Sequence, residues 1–502
     1  MKKSAFWVLL SCFLFAFLLH FISIYNINIA PPSDAENTWK MIKSFYSGDI
    51  YPAPQLYKGL HAVFPYVWLY HLSIRFGLNE FFFVKAYLAA LFAFASAICL
   101  PYVISTFLKK RVGLIPRVIW ILIAWWIWSP YGVFIALWVD LPNFAYLSIA
   151  AAASLMLVNM KSFSDKKKVF AYSLLAGLTI GLASGGSGQY MLTAFLLPVF
   201  IAIRLFRSKF DFVILKKSIF APLICIIVVI IGIMPFKLYD YHFEKTIVQP
   251  FRDQGYWIPK GIGAALIRDM TMTTYVRGVP QLPDNRGEAI LRAIYGHDAV
   301  NKSKDYYNEN GYFPGSNGNG VQQGWQNTFK TSPAEYVKLV LKYPLDFIAR
   351  WGQRFFLGID MDNGTSSVSR LFVGFTLLYF TLYSIIKRCK TVKSIVCPNT
   401  LIVAAFVVVA LIPCLAHMEK RYAISLQALI ICVGLFDDTI KNIVLSVIDK
   451  IEQCVKAKSL GPVWNGKISY PAVIYVVFMV VCFMHHASIY ETLGPSISIL
   501  FS

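Results

Sequence analysis

The chain has 502 residues, 57% of them hydrophobic and only 15% charged, with a mean hydropathy of +0.58. A water-soluble protein of this length needs more charge to cover its surface, so composition excludes an ordinary soluble fold. The net charge of +21 does not indicate a nucleic-acid partner, because the Lys and Arg residues lie mostly between hydrophobic runs.

The first element is the apolar run Ala5 to Tyr25, preceded by Met1-Lys2-Lys3. Leu9-Leu10-Ser11-Cys12 is similar to a lipoprotein cleavage site, but the run continues well past Cys12 and no small-x-small site closes it. It reads as an uncleaved first helix with a cytoplasmic N-terminus. The next apolar stretch, Leu60 to Phe76, decides the topology. If it crosses the membrane, every later positive cluster falls outside; if it lies in the interface, every cluster falls inside. Those clusters include Lys109-Lys110-Arg111, Lys166-Lys167-Lys168, Lys216-Lys217 and Lys387-Arg388. His61, Pro65, His71 and Arg75 interrupt the stretch and Tyr and Trp are frequent in it, so we read it as an interfacial helix.

The expected spans are then 5–25, 81–108, 117–131, 142–160, 169–186, 188–206, 217–236, 370–386, 397–416, 421–437 and 470–488. Each approaches the roughly 20 residues that cross a bilayer core, the shortest ending near Ser129-Pro130. The expected fold class is therefore an all-α polytopic membrane protein with about eleven transmembrane helices. An interfacial helix occupies its first external loop, 26–80, and a large mixed external loop covers 237–369. This divides the chain into an N-terminal transmembrane module (1–236), the long loop (237–369) and C-terminal transmembrane helices (370–502). All nine cysteines fall in spans or cytoplasmic segments, so the long loop is not a disulfide-stapled domain. No cysteine or histidine spacing indicates structural zinc, and His485-His486 is a lone pair near the end of the last span.

Chemistry is expected on the external face, where ionisable residues border spanning helices. Asp34 and Glu36, in Pro31-Pro32-Ser33-Asp34-Ala35-Glu36, could supply a general base or hold a cation. Ser33-x-x-Glu36 is equally a capping box, with both acids favouring the dipole of a first helical turn. Asp140, in Trp138-Val139-Asp140-Leu141-Pro142, is either an ordinary helix-entry residue or an acid held at a functional depth. The turn His417-Met418-Glu419-Lys420-Arg421-Tyr422 holds a Lys-Arg pair outside, against the rule that keeps positive charge inside. Such a pair suits a phosphate or pyrophosphate. Gly177 and Gly181 are spaced for close helix packing, and Gly185-Gly186-Ser187-Gly188 forms an external hairpin.

Within the long loop, Tyr306 to Asn327 is rich in aromatics, Asn and Gly, a composition that suits both faces of a sugar and equally a long ordered loop. From Ser332 the pattern turns helical, with Ser332-x-x-Glu335 as a second capping box. Arg350 and Arg354 then lead towards the next span, within reach of lipid headgroups.

The order of these features resembles the GT-C glycosyltransferases, in particular the bacterial branch similar to aminoarabinose transferases and protein O-mannosyltransferases. The resemblance rests on Asp34-Ala35-Glu36, Gly48-Asp49-Ile50-Tyr51-Pro52, Phe64-Pro65 and Arg75-Phe76-Gly77. It continues with Asp140-Leu141-Pro142, the phrase Ala176 to Ala183, and Glu419-Lys420-Arg421-Tyr422. Each motif is short, the acids are Asp-Ala-Glu where family members often carry adjacent ones, and Lys85 stands where arginine is usual.

The resemblance implies inverting transfer of a sugar from a polyprenyl-phosphate donor to a glycan, lipid or protein acceptor at the outer face of a bacterial inner membrane. It places Asp34 as the base and Glu36 as a positioning or cation-binding group. Asp140, Lys85, His417, Glu419, Lys420, Arg421 and Tyr422 contact substrate, with Lys420 and Arg421 on the phosphate. No cofactor is required and no nucleic acid takes part, while a divalent cation remains compatible with the acids. Two other classes share the polytopic body: a lipid-linked oligosaccharide polymerase or ligase, and a lipid or sugar flippase or transporter.

Overall fold

A computed structural model describes residues 3–30, 34–52, 56, 64–128, 140–160, 165–185, 188–207, 220–256, 333–361, 367–388, 398–414, 423–437 and 470–501, with isolated positions between 289 and 301. The described residues are helices joined by turns, and no strand occurs among them. In chain order they are α1 (Lys3–Tyr25), α2 (Asp34–Ser47), α3 (Tyr66–Arg75) and α4 (Phe82–Leu108, with a π turn at Ala95–Cys99). Next come α5 (Leu114–Trp128), α6 (Asp140–Val158), α7 (Lys166–Ala183) and α8 (Gly188–Arg207). Helix α9 runs from Phe220–Phe243 through the π turn Glu244–Val248 to Gln249–Asp253. It is followed by α10 (Pro333–Lys342), α11 (Pro344–Ile359), α12 (Val368–Arg388), α13 (Pro398–Cys414), α14 (Ile424–Phe436) and α15 (Tyr470–Phe501).

Hydrocarbon offers no partner for a backbone N–H or C=O, so apolar runs of this length satisfy themselves as helices. Five are long and apolar enough to cross a bilayer: Phe6–Tyr25, Phe82–Leu108, Leu141–Val158, Pro222–Asp253 and Val368–Arg388. The protein is a membrane-embedded helical protein. A helix also occupies each of the other expected spans, shorter or less apolar than those five. Helix α3, ten residues long, measures about 15 Å, half of a roughly 30 Å hydrocarbon core. It is too short to span, in keeping with an interfacial reading of that stretch; residues 60–63 lie outside the described residues.

Three boundaries differ from expectation. The expected domain break at 236 falls inside continuous helix, because α9 runs on to Asp253. Apolarity stops near Phe236, but helicity does not. The polar continuation is held by local pairs: Lys237 with Asp240 (3.3 Å), Gln249 with Asp253 (2.7 Å) and Arg252 with Glu244. The 32 residues from Pro222 to Asp253 measure about 48 Å, so part of this helix projects beyond the core. Helix α15 likewise passes the expected end at 488 and reaches Phe501. Of the long loop, expected to be mixed, the described stretches at its two ends are helical: the end of α9, then α10 and α11. Its aromatic middle, Tyr306 to Asn327, lies outside the described residues.

Packing follows side-chain size. Leu141–Val158 of α6 is 89% buried, whereas Phe6–Tyr25 is 22% and Pro222–Asp253 33% buried, so α6 is central and α1 and α9 face outward. Ala150 to Ala153 let neighbouring helices approach α6. Helices α7 and α9 come closer still: a methyl group on Gly177 would lie 2.3 Å from the Val229 carbonyl oxygen, and one on Gly232 2.8 Å from the Gly177 Cα. Without a hydrophobic drive between helices in lipid, such backbone approach is what holds them. The π turn in α4 presents carbonyls that side chains take up. Arg117 Nη1 donates to Ala97 O (2.8 Å) and Trp120 Nε1 to Ser96 O (2.7 Å).

Cations also close helix ends. Lys85 donates to Tyr25 O (2.7 Å) at the end of α1, Lys237 to Ser184 O (3.2 Å) after α7, and Arg354 to Cys414 O (3.2 Å) at the end of α13. Arg370, at the start of α12, donates to Trp126 O near the end of α5, while Arg388, at its finish, donates to Leu108 O at the end of α4. Helices α4 and α12 therefore run in the same direction, and the ends of α1 and α5 gather where both begin. The last carbonyls of a helix lack internal partners, and a cation there also meets the negative end of the dipole.

Candidate functional site

The end of α1, the face of α2 and the start of α4 enclose an open cavity of about 590 Å³. It forms because α1 stops at Tyr25 and the chain turns: Asn28 Oδ1 accepts from the Ala30 N–H at 3.0 Å. Helix α2 then lies across the start of α4. Its inner face, Ala35, Trp39, Met41 and Ile42, is buried, and its outer face carries lysines.

Three lysines, Lys40, Lys43 and Lys85, line this cavity, against one lining carboxylate, Glu36. The Glu36 carboxylate pairs with Lys40 at 2.8 Å, one helical turn on, and this hydrogen bond raises the Lys40 ammonium above its ordinary value. Lys43 pairs at 2.7 Å with Glu80, whose other oxygen accepts from Trp39 Nε1 at 3.1 Å. Glu80 thereby straps α2 to the turn before α4. Lys85 is buried, bound to Tyr25 O and 5.8 Å from the centre of the Phe81 ring. Trp39 packs 4.4 Å from Phe81 and edge-on to Tyr70. Asn26, Asn28 and Asn79 complete the polar lining.

The arrangement offers three ammonium groups, two of them paired with carboxylates, together with aromatic residues and several amides in one open hollow. Positive charge suits an anionic group such as a phosphate, and an aromatic wall with amides suits the two faces of a sugar. Behind it, Tyr87 and Tyr146 share a hydrogen bond between α4 and α6, and Tyr66 of α3 packs edge-on to Tyr87. Burial holds the Tyr66 hydroxyl well above the usual tyrosine range, so it stays neutral.

Of the residues singled out from sequence, Glu36 and Lys85 meet in this cavity. The backbone of Asp34 opens α2 two residues before Glu36, and that of Asp140 opens α6 less than two turns before Tyr146. Glu36 is engaged by Lys40; Ser33, the other half of the proposed capping box, lies outside the described residues. His417, Glu419, Lys420, Arg421 and Tyr422 also lie outside them, between Cys414, capped by Arg354, and the buried Ala423. Arg354 thus serves a helix end.

Sequence reading missed Lys40, Lys43, Trp39, Phe81 and Glu80. The Glu36–Lys40 pair was legible from its i,i+4 spacing, but nothing local relates Glu80 to Trp39. His486, one of the histidine pair near the end of the last span, places its Nδ1 3.2 Å from Oδ2 of the buried Asp360. The described cysteines 12, 99, 225, 414, 432 and 482 are buried, and no disulfide joins any two of them. Among the described residues no cluster of His, Cys, Asp and Glu forms a metal site. No protein-family model, no curated protein and no solved structure matches this chain, so its own residues carry what can be said of the site's chemistry.

Proposed function

We propose that the protein is an integral membrane glycosyltransferase, moving a sugar from a polyprenyl-phosphate donor to an acceptor hydroxyl on the extracytoplasmic face of a bacterial inner membrane. The observation that carries this reading is the cavity between α1, α2 and α4, where Lys40, Lys43 and Lys85 gather beside Trp39, Phe81 and Glu36. Helix α2, which begins at Asp34, forms one of its walls. The proposed topology has eleven spans with α2 and α3 at the external interface, which puts the lysine clusters between the other spans on the cytoplasmic side.

In the proposed reaction Asp34 takes the proton from the acceptor hydroxyl as its oxygen attacks the anomeric carbon. The bond from that carbon to the phosphate oxygen breaks on the opposite side, inverting the centre. The electron pair leaves with polyprenyl phosphate, whose charge the cavity lysines, with Lys420 and Arg421, stabilise. Glu36 holds Lys40 in place, and Asp140 is a second acid at the site.

The test compares envelope glycans of a deletion strain with its parent by mass spectrometry, then complements with wild type or Asp34→Asn. The expected result is a missing sugar that wild type restores and Asp34→Asn does not. Full restoration by Asp34→Asn would show the base assignment to be wrong. Unchanged glycans on deletion would remove the transferase reading itself.

A further inference from the structure

Helices α10 and α11 meet at Tyr343, which leaves helical conformation (φ −129°, ψ 58°), and Pro344 restarts the chain in the first turn of α11. Across this elbow Val337, Leu341, Leu345 and Ile348 recur at helical spacing, all strongly exposed, Leu341 at 73% and Leu345 at 79%. Lys338 and Lys342 flank the stripe and are exposed as well.

The far half of α11 faces the other way, into the bundle. Phe356 packs against Phe375 of α12 and His485 of α15, Gly358 O accepts from Gln427 Nε2 at 2.9 Å, and Arg354 caps α13. These contacts seat the pair at the level where helices end, which in a membrane protein is the bilayer interface. The helices that hold α11 carry outward apolar residues of their own, Val368 and Phe372 on α12 and Met484 on α15. In water an exposed run like that of the elbow would be an aggregation surface; on a membrane-embedded bundle, with lysines at its edge, it has a matching partner.

We propose that α10 and the first half of α11 lie in the membrane plane, with Val337, Leu341, Leu345 and Ile348 among acyl chains and Lys338 and Lys342 on anionic lipid headgroups. The occupant is lipid and not a second copy of the chain, because α11 is held at helix ends of a membrane-embedded bundle, and the cations Lys338, Lys342 and Arg350 of this stretch outnumber its acids Glu335 and Asp346.

The full chain carrying benzoylphenylalanine at Leu345 or at Ile348 is reconstituted in nanodiscs of mixed neutral and anionic phospholipid and irradiated. Adducts are then identified by mass spectrometry. Phospholipid adducts are expected at both positions, with the anionic lipid enriched at least about fivefold over its share of the bilayer, as even one of the two lysine–headgroup contacts would supply. In a Lys338→Gln/Lys342→Gln background the adducts persist and the enrichment disappears. Adducts to a second protein chain, or none to lipid, would overturn the proposal. Adducts without anionic enrichment would overturn its headgroup part.

Discussion

Replacing Gly177 by alanine tests how tightly α7 and α9 are joined. The added methyl would stand 2.3 Å from Val229 O and 3.0 Å from the Gly232 Cα, both backbone atoms that cannot rotate aside. That is about 1 Å inside the usual 3.3–3.6 Å C–H···O separation, so the helices must part by a similar distance. A gap of about 1 Å forfeits up to half of each dispersion contact along the seam, and overpacking of this kind costs about 1–3 kcal/mol. Opposing it is roughly 1 kcal/mol gained because alanine is the better helix former. The net expectation is destabilisation of up to about 2 kcal/mol. Gly352→Ala supplies the comparison, since its methyl would meet nothing within 4 Å and should leave stability unchanged or raise it. Thermal unfolding of the purified proteins in one detergent measures both. The reasoning fails if Gly177→Ala melts at or above wild type, or if both variants fall equally.

Lys85→Ala leaves the Tyr25 carbonyl without its 2.7 Å donor at a part-buried helix end, and should cost about 0.5–1.5 kcal/mol, read by the same melting assay. Lys85→Arg is expected to recover stability more fully than glycan transfer, because the cap needs a donor whereas the cavity needs a particular shape. Glu80→Ala removes the acceptor of Trp39 and the partner of Lys43, loosening α2 by about 1–2 kcal/mol. Hydrogen exchange along α2 should quicken in that variant, and less so in Glu80→Gln. At the start of α7, the Lys168 side chain and backbone N–H hold the Asp165 carboxyl below the usual carboxylate range. Its contribution to that helix end is therefore complete above pH about 4 and lost as pH falls through the depressed value. Exchange at the first turn of α7 should rise on acidification, and Asp165→Asn should remove that dependence.

Much of the architecture was legible before any coordinates, and the reason is the solvent. In hydrocarbon a long apolar run has one way to satisfy its backbone, so α1, α4, α6 and α12 follow from hydropathy alone. The ends of α9 and α15 were not legible in that way. Hydropathy reports where lipid stops, whereas Lys237–Asp240 and Gln249–Asp253 keep α9 helical past that point. Gly177 and Gly181 announced a close packing but not its partner, and only the fold shows Gly232 and Phe236 opposite them.

The candidate site divides in the same way. Sequence order by itself marked Asp34 and Glu36, because charged residues bordering apolar runs are costly and stand out, and the family resemblance added Lys85. It also allowed Glu36 to reach Lys40 across one helical turn. Tertiary structure alone decided that α2 folds across the start of α4, that Glu80 binds both Trp39 and Lys43, and that Lys85 closes the end of α1. Those contacts join residues far apart in the chain. No local periodicity encodes them, since they depend on how helix faces pack once each helix has formed.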